Sequence, residues 1–194
     1  ANPISGQAAL SASSETLTVG WTALLPSPPS ATSEGYRLEM SSTNFNGTGD
    51  IRFSSTTSVA LSTLTVPGLL SNTTYFFRAG SLNWTEVPNF VAGGSTVTLA
   101  PSITRLVSDF VDVFSDSVTV QWTALPPSPP SATAEGYQLE ASSTNFNGSG
   151  IVRSSSTQNI SDTELTVPDL EPNATYYFKV AALNWNNAPN YTTL

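Results

Sequence analysis

Two short stretches carry the side chains best able to do chemistry: NWTEVPNF around Trp84 and NWNNAPNY around Trp185. An indole can stack on the apolar face of a sugar ring while Asn amides bond its hydroxyls. Aromatic residues in β domains equally serve to bury area. A second pair, NFNGTG from Asn44 and NFNGSG from Asn145, places Phe45 and Phe146 in turns whose glycines supply positive φ. Phe45, Trp84, Phe90, Phe146, Trp185 and Tyr191 are therefore the candidate residues of loops that contact a neighbouring domain or a ligand.

Catalytic chemistry is poorly served. The chain has no histidine and no cysteine, so the commonest general base and all thiolate chemistry are missing. Asp109, Asp112 and Asp116 could supply oxygen ligands, but their spacing matches no calcium loop. They are interspersed with Phe110, Val111 and Val113, as solvated positions on a strand are. Glu34 and Glu39 are carboxylates of the kind hydrolases pair, yet Glu39 falls on the outward face of a strand. No catalytic residue, metal or cofactor is expected, and the chain is not expected to be an enzyme.

Charge narrows the partners. Only 10% of the 194 residues are charged, and the net charge is −8. Nucleic acid needs clustered Lys and Arg, and anionic membrane surfaces need the same. No apolar run approaches the roughly 20 residues of a spanning helix. A weakly charged surface rich in Ser, Thr and Asn correlates with extracellular or cell-surface proteins. Asn-x-Ser/Thr occurs at Asn46, Asn72, Asn83, Asn147, Asn159, Asn173 and Asn190.

These residues must be positioned by a repeated scaffold. Residues 21–84 align without a gap on residues 122–185 at a constant offset of 101, with 40 identities in 64 positions. Such a period signals duplication within an array. Leu17, Val19 and Trp21 alternate on one strand, and Tyr36, Leu38 and Met40 point inward on the next, with Arg37 and Glu39 outward. ALLPSPPSATSE between them is a stiff loop, because its prolines cannot donate to a ladder. Residues 50–57 read as an edge strand, 59–66 and 73–82 as two more, 83–94 as the last loop and 95–100 as the last strand. In the second copy Ile103, Leu106, Phe110 and Val113 mark a longer apolar first strand.

The pattern L-x-V-x-x-L-x-P-x-x-x-Y-x-F-x-V from Leu165 to Val180, with Trp21 and Trp122 in LTVGW and VTVQW, resembles fibronectin type III domains. The resemblance implies an all-β chain of two tandem seven-stranded sandwiches, residues 1–100 and 101–194. It implies that Trp21 and Trp122 are core residues of the second strand. Tyr75 and Tyr176 become corner residues whose hydroxyls bond back to the backbone. At the offset of 101 the counterpart of Gly94–Ala100 is missing, so the second sandwich is expected to lack its last strand, G. A head-to-tail array would set Phe45 against Pro126–Pro130 and Trp185, touching only the neighbour.

The expected function is a structural, spacing or adhesive repeat of an extracellular or cell-surface protein. Neighbouring repeats are its first partners, and glycans or other proteins are further candidates. The alternatives are a carbohydrate-binding accessory module of a secreted enzyme and a fibre subunit that assembles by strand complementation.

Overall fold

The computed structural model describes residues 1–106 and 108–194. Its contacts separate two compact units, Ala1–Thr98 and Leu99–Leu194. The division falls ahead of residue 100, because Ala100 and Ile103 are buried in the core of the second unit.

In the first unit, alternation of apolar residues builds seven strands: β1 (Ser5–Ala12), β2 (Leu17–Thr22), β3 (Tyr36–Ser41), β4 (Ile51–Thr56), β5 (Thr63–Val66), β6 (Thr74–Leu82) and β7 (Pro88–Val97). They form a three-stranded sheet, β1-β2-β5, and a four-stranded sheet, β4-β3-β6-β7. Every pairing is antiparallel. The inward residues of β2 and β3 meet between the sheets: Leu17, Val19, Tyr36, Leu38 and Met40 are fully buried. Leu10 of β1 is 59% exposed, and Ile4 is the buried anchor of that end.

The second unit repeats the order in β8 (Phe110–Val113), β9 (Val118–Gln121), β10 (Gly136–Ser142), β11 (Val152–Thr157), β12 (Glu164–Val167), β13 (Tyr177–Leu183) and β14 (Pro189–Thr193). Its sheets are β12-β9-β8 and β11-β10-β13-β14. This corrects the expectation of a missing last strand: β14 pairs with β13 from Lys179–Thr193 to Leu183–Pro189. The reason is visible in the first unit, where the last strand starts at Pro88 and not at residue 95. Most of the supposed loop is strand, because the turn closes within four residues of Asn83. Edge strand β8 also departs from the apolar reading: Phe110 and Val113 are 42% and 71% exposed.

Trp21 and Trp122 are 5% and 2% exposed and lie tilted against Tyr36 and Tyr137, ring centroids 5.2 and 5.1 Å apart. Tyr36 is completely buried, yet its hydroxyl accepts the Leu24 N–H at 2.8 Å and donates to the Val59 carbonyl at 3.1 Å. Tyr137 repeats this with Leu125 and Ile160 at 2.8 and 3.2 Å. Gly35 and Gly136 precede these tyrosines with φ of 141° and 159°. A Cβ there would stand 2.0 Å from the Thr56 carbonyl oxygen or 2.2 Å from that of Thr157, so only glycine lets the next strand approach.

Replacing Trp21 or Trp122 by Ala empties the largest ring from each core and is expected to cost about 3–5 kcal/mol. Denaturant melts of each unit measure this, and a loss below about 1 kcal/mol would deny the rings their packing role.

Tyr75 and Tyr176 each bond the backbone a few residues upstream. The Tyr75 hydroxyl accepts the Leu70 N–H at 3.0 Å, and that of Tyr176 accepts the Glu171 N–H at 2.8 Å. Tyr75→Phe and Tyr176→Phe are expected to cost about 0.5–1.5 kcal/mol each, the net worth of one hydrogen bond. Unchanged midpoints in both variants would show that the corners hold without it.

Candidate functional site

The outer face of each four-stranded sheet carries one constellation of charge and aromatic rings. Cross-strand register sets Glu39 of β3 opposite Arg78 of β6. Arg78 donates to Glu39 Oε2 from Nη2 at 2.7 Å and from Nε at 3.0 Å, and Arg37 Nε donates to Oε1 at 2.8 Å. Glu39 does point outward, but the two guanidiniums roof it over, and it is only 5% exposed. The Arg78 guanidinium in turn lies between two rings, 4.3 Å from the centre of Phe45 and 4.2 Å from that of Phe90. Arg37 covers Phe53 at 3.9 Å.

Local geometry brings the rings there. The buried Ser41 hydroxyl oxygen accepts the N–H groups of Thr43 and Phe45 at 3.2 and 3.0 Å. This holds Asn44 and Phe45 at φ of 53° and 57° and folds the ring back over the sheet. Gly80 sits opposite Phe90 in the register, and a Cβ there would come within 3.0 Å of that ring.

The second unit keeps the arrangement with different residues. Lys179 pairs with Glu140 at 2.9 Å and lies between Phe146 and Tyr191 at 4.2 and 3.7 Å. The Tyr191 hydroxyl donates to Glu140 Oε1 at 2.6 Å, and Gln138 Nε2 donates to the same oxygen at 2.8 Å. Phe45, Phe90, Phe146 and Tyr191 are thus half-buried within their own units. The expectation that Phe45 touches only a neighbouring domain is corrected by its contact with Arg78. The sequence reading placed Glu39 outward but missed its pairing, and it missed Arg78, Ser41 and their counterparts. Their signal was the 101-residue offset, at which charge pairs with charge and ring with ring.

The two remaining loop aromatics behave differently. Asn83 Oδ1 accepts from the N–H groups of Thr85 and Val87 at 3.0 and 2.9 Å and from the Thr85 hydroxyl at 2.9 Å. The Glu86 N–H donates to the Asn83 carbonyl at 2.8 Å, with Glu86 at φ 59°. Asn184 builds the same turn through Asn186 and Ala188, with Asn187 at φ 56°. Trp84 and Trp185 stand at the tips of these turns, 83% and 59% exposed.

Other candidates resolve plainly. Asp109 is not a solvated strand position: it is 4% exposed, accepts from Arg105 at 2.7 and 2.9 Å and receives the Leu106 N–H at 2.9 Å. Among the described residues no group of three or more His, Cys, Asp or Glu is placed to hold a metal ion. No helix there is long and apolar enough to cross a membrane. Among the Asn-x-Ser/Thr sites, Asn72 is buried, whereas Asn46, Asn147 and Asn173 are exposed.

The strand order and the tyrosine corners define immunoglobulin-like β-sandwiches. Residues 104–191 match the family model described as Fibronectin type III domain. That match lies within the second unit, and the first unit repeats the strand order and most of the aligned residues of the second. Among solved structures it is similar to the FN1–FN3 domains of chicken CNTN1, with 16% identity and a TM-score of 0.48, over 98% of this chain and 66% of that one. The chain thus spans just under two thirds of that structure. It is also similar to a two-domain fibronectin type III segment of chicken tenascin, with 18% identity and a TM-score of 0.44, over 100% of this chain and 99% of that one. No curated protein matches it in sequence.

Burial, the hydrogen bond to Glu140 and the charge of that carboxylate push the Tyr191 hydroxyl well above its ordinary value of 10. A group raised in the fold contributes stability that is complete below its unfolded value and lost as pH climbs through the folded one. Stability of the second unit is therefore expected to fall between about pH 9 and 11, as unfolded tyrosine ionises and folded Tyr191 does not. Tyr191→Phe should flatten the decline in urea melts. Tyr137, also raised by burial, leaves a residual slope. Identical slopes in the variant and the parent would show that Tyr191 ionises freely in the fold.

Proposed function

We propose that the chain is a pair of structural, adhesive repeats in an array of an extracellular or cell-surface protein, with neighbouring repeats as its first partners. One observation carries this reading. Charged and aromatic side chains on the sheet faces are tied to one another inside each unit, and the tie survives exchange of its parts: Arg78 for Lys179, Phe90 for Tyr191. What persisted through divergence is a clamp across strands, which suits a module that bears load or sets distance. Partly desolvated cation–π contacts are worth roughly 1–2 kcal/mol each. The family resemblance supports the same class of role, and the low charge with abundant Ser, Thr and Asn agrees with an extracellular setting.

Small-angle scattering of the two-repeat chain tests the spacer role. A narrow distribution of interdomain distances is expected, because the two units adjoin in sequence at Thr98 and Leu99. A profile that needs a broad ensemble of freely jointed domains would remove the spacer reading and leave adhesion alone.

A further inference from the structure

We infer that the first unit binds a neutral saccharide in the groove beside Trp84, with the indole as platform and Glu34 as hydroxyl acceptor. This goes beyond the spacer role and does not rest on it. Trp84 is the most exposed large hydrophobic side chain among the described residues, at 83%. An indole normally buries its area. Here a turn closed by Asn83 holds its backbone at the tip, so its position is set before any ligand arrives.

The surroundings are polar and rigid. Glu34 N–H donates to the Leu82 carbonyl and Leu82 N–H to the Gly35 carbonyl, at 2.9 and 2.8 Å. The β3–β6 pairing thereby continues to the base of the Trp84 turn and sets the Ser33–Glu34 segment beside it. A groove of about 280 Å³ results, lined by Pro29, Ser30, Ser33, Glu34, Asn83 and Trp84. Its volume lies at the lower edge of ligand pockets, which suits one sugar ring. The short helical turn Pro29–Ala31 stiffens one wall, and Asn2 Nδ2 fastens that wall by donating to the Ser30 carbonyl at 2.9 Å.

Two polar groups in this groove have no partner among the described residues. The Glu34 carboxylate, partly exposed, forms no ion pair or side-chain hydrogen bond. Ser33 is 5% exposed, and its hydroxyl is buried without a partner. An unmet buried hydroxyl is costly, and this one lies in the groove wall beneath the surface. The second unit has Ala134 at this position, so the buried hydroxyl belongs to the first groove alone. A stacking face beside acceptors matches a pyranose, which has an apolar C–H face and a rim of hydroxyls. Glu34 lines the groove, and its charge disfavours uronic or sialic acids.

The test is titration of the intact chain with cello-, manno- and galacto-oligosaccharides, read on the indole N–H signals by heteronuclear NMR. The Trp84 signal is expected to move saturably with at least one of the three, with an affinity on the order of millimolar for a single platform. Trp84→Ala should weaken binding about tenfold or more without changing the melt, because the residue is largely solvent-exposed. Glu34→Gln should weaken it less, and Trp185→Ala should leave it intact. A Trp84 signal unmoved by all three saccharides overturns the inference. So does a Trp84→Ala variant that binds like the parent. Saccharide-insensitive self-association of the parent that Trp84→Ala abolishes in sedimentation would make the groove a contact between copies instead.

Discussion

Each unit hangs on the hydroxyl of one buried tyrosine. Tyr36 and Tyr137 place an aromatic ring at the centre of the sandwich, where a hydroxyl without partners would cost about 1–3 kcal/mol. Both satisfy it twice, once as acceptor and once as donor. The two partners lie on different loops, one before β3 or β10 and one after β4 or β11. A single side chain therefore fixes the ends of two loops to the core. The ring holds the tryptophan of the neighbouring sheet at about 5 Å, so the same residue joins the two layers. The Pro-rich loop, and with it the wall of the Trp84 groove, is placed by this bond.

The outer sheet face is organised by a different physical problem. A carboxylate in the middle of a sheet loses much of its hydration, and desolvation must be offset by cations and donors close at hand. Glu39 meets this with two arginines, and Glu140 with a lysine, a glutamine and a tyrosine hydroxyl. The substitutions are coupled. Where Arg37 gives way to Gln138, the ring it covered, Phe53, gives way to Ser154. A cation and its aromatic partner were exchanged together, as expected when the contact and not either residue alone is what matters.

Much of the sandwich was legible because burial imposes period two: Leu17, Val19 and Trp21 could face only one way. The last strand was misread for a physical reason. Its first half, Pro88–Ala92, opens on a proline and alternates weakly, since Phe90 and Ala92 cover a half-solvated face and not the core. Edge pairing to β6 makes it a strand, and that information lies in the partner. The sheet-face cluster was equally hidden. Glu39 and Arg78 are far apart in sequence, and nothing local tells a roofed carboxylate from a solvated one. Phe45 looked like a free turn residue because its left-handed conformation, imposed by Ser41, reverses the direction of the ring.

The pattern of divergence between the two copies follows from which atoms do the holding. The loop after β4 differs at seven consecutive positions, residues 57–63 against 158–164. Its attachments to the core are backbone carbonyls, of Val59 and Ser62 or of Ile160 and Thr163, which any residue supplies. The Pro-rich loop is identical from Pro26 to Thr32 and from Pro127 to Thr133. Its course depends on the side chains themselves: fixed proline φ angles and a short helical turn. The hairpin that carries Phe45 or Phe146 is likewise held by a serine hydroxyl and by asparagine oxygens, and there only Thr48 is exchanged, for Ser149. Loops held by backbone atoms were free to drift, and loops held by side chains were not. The change from Ser33 to Ala134 interrupts the second class of loop. It touches none of the bonds that hold the loop, so it altered what the groove presents and not how the groove is built.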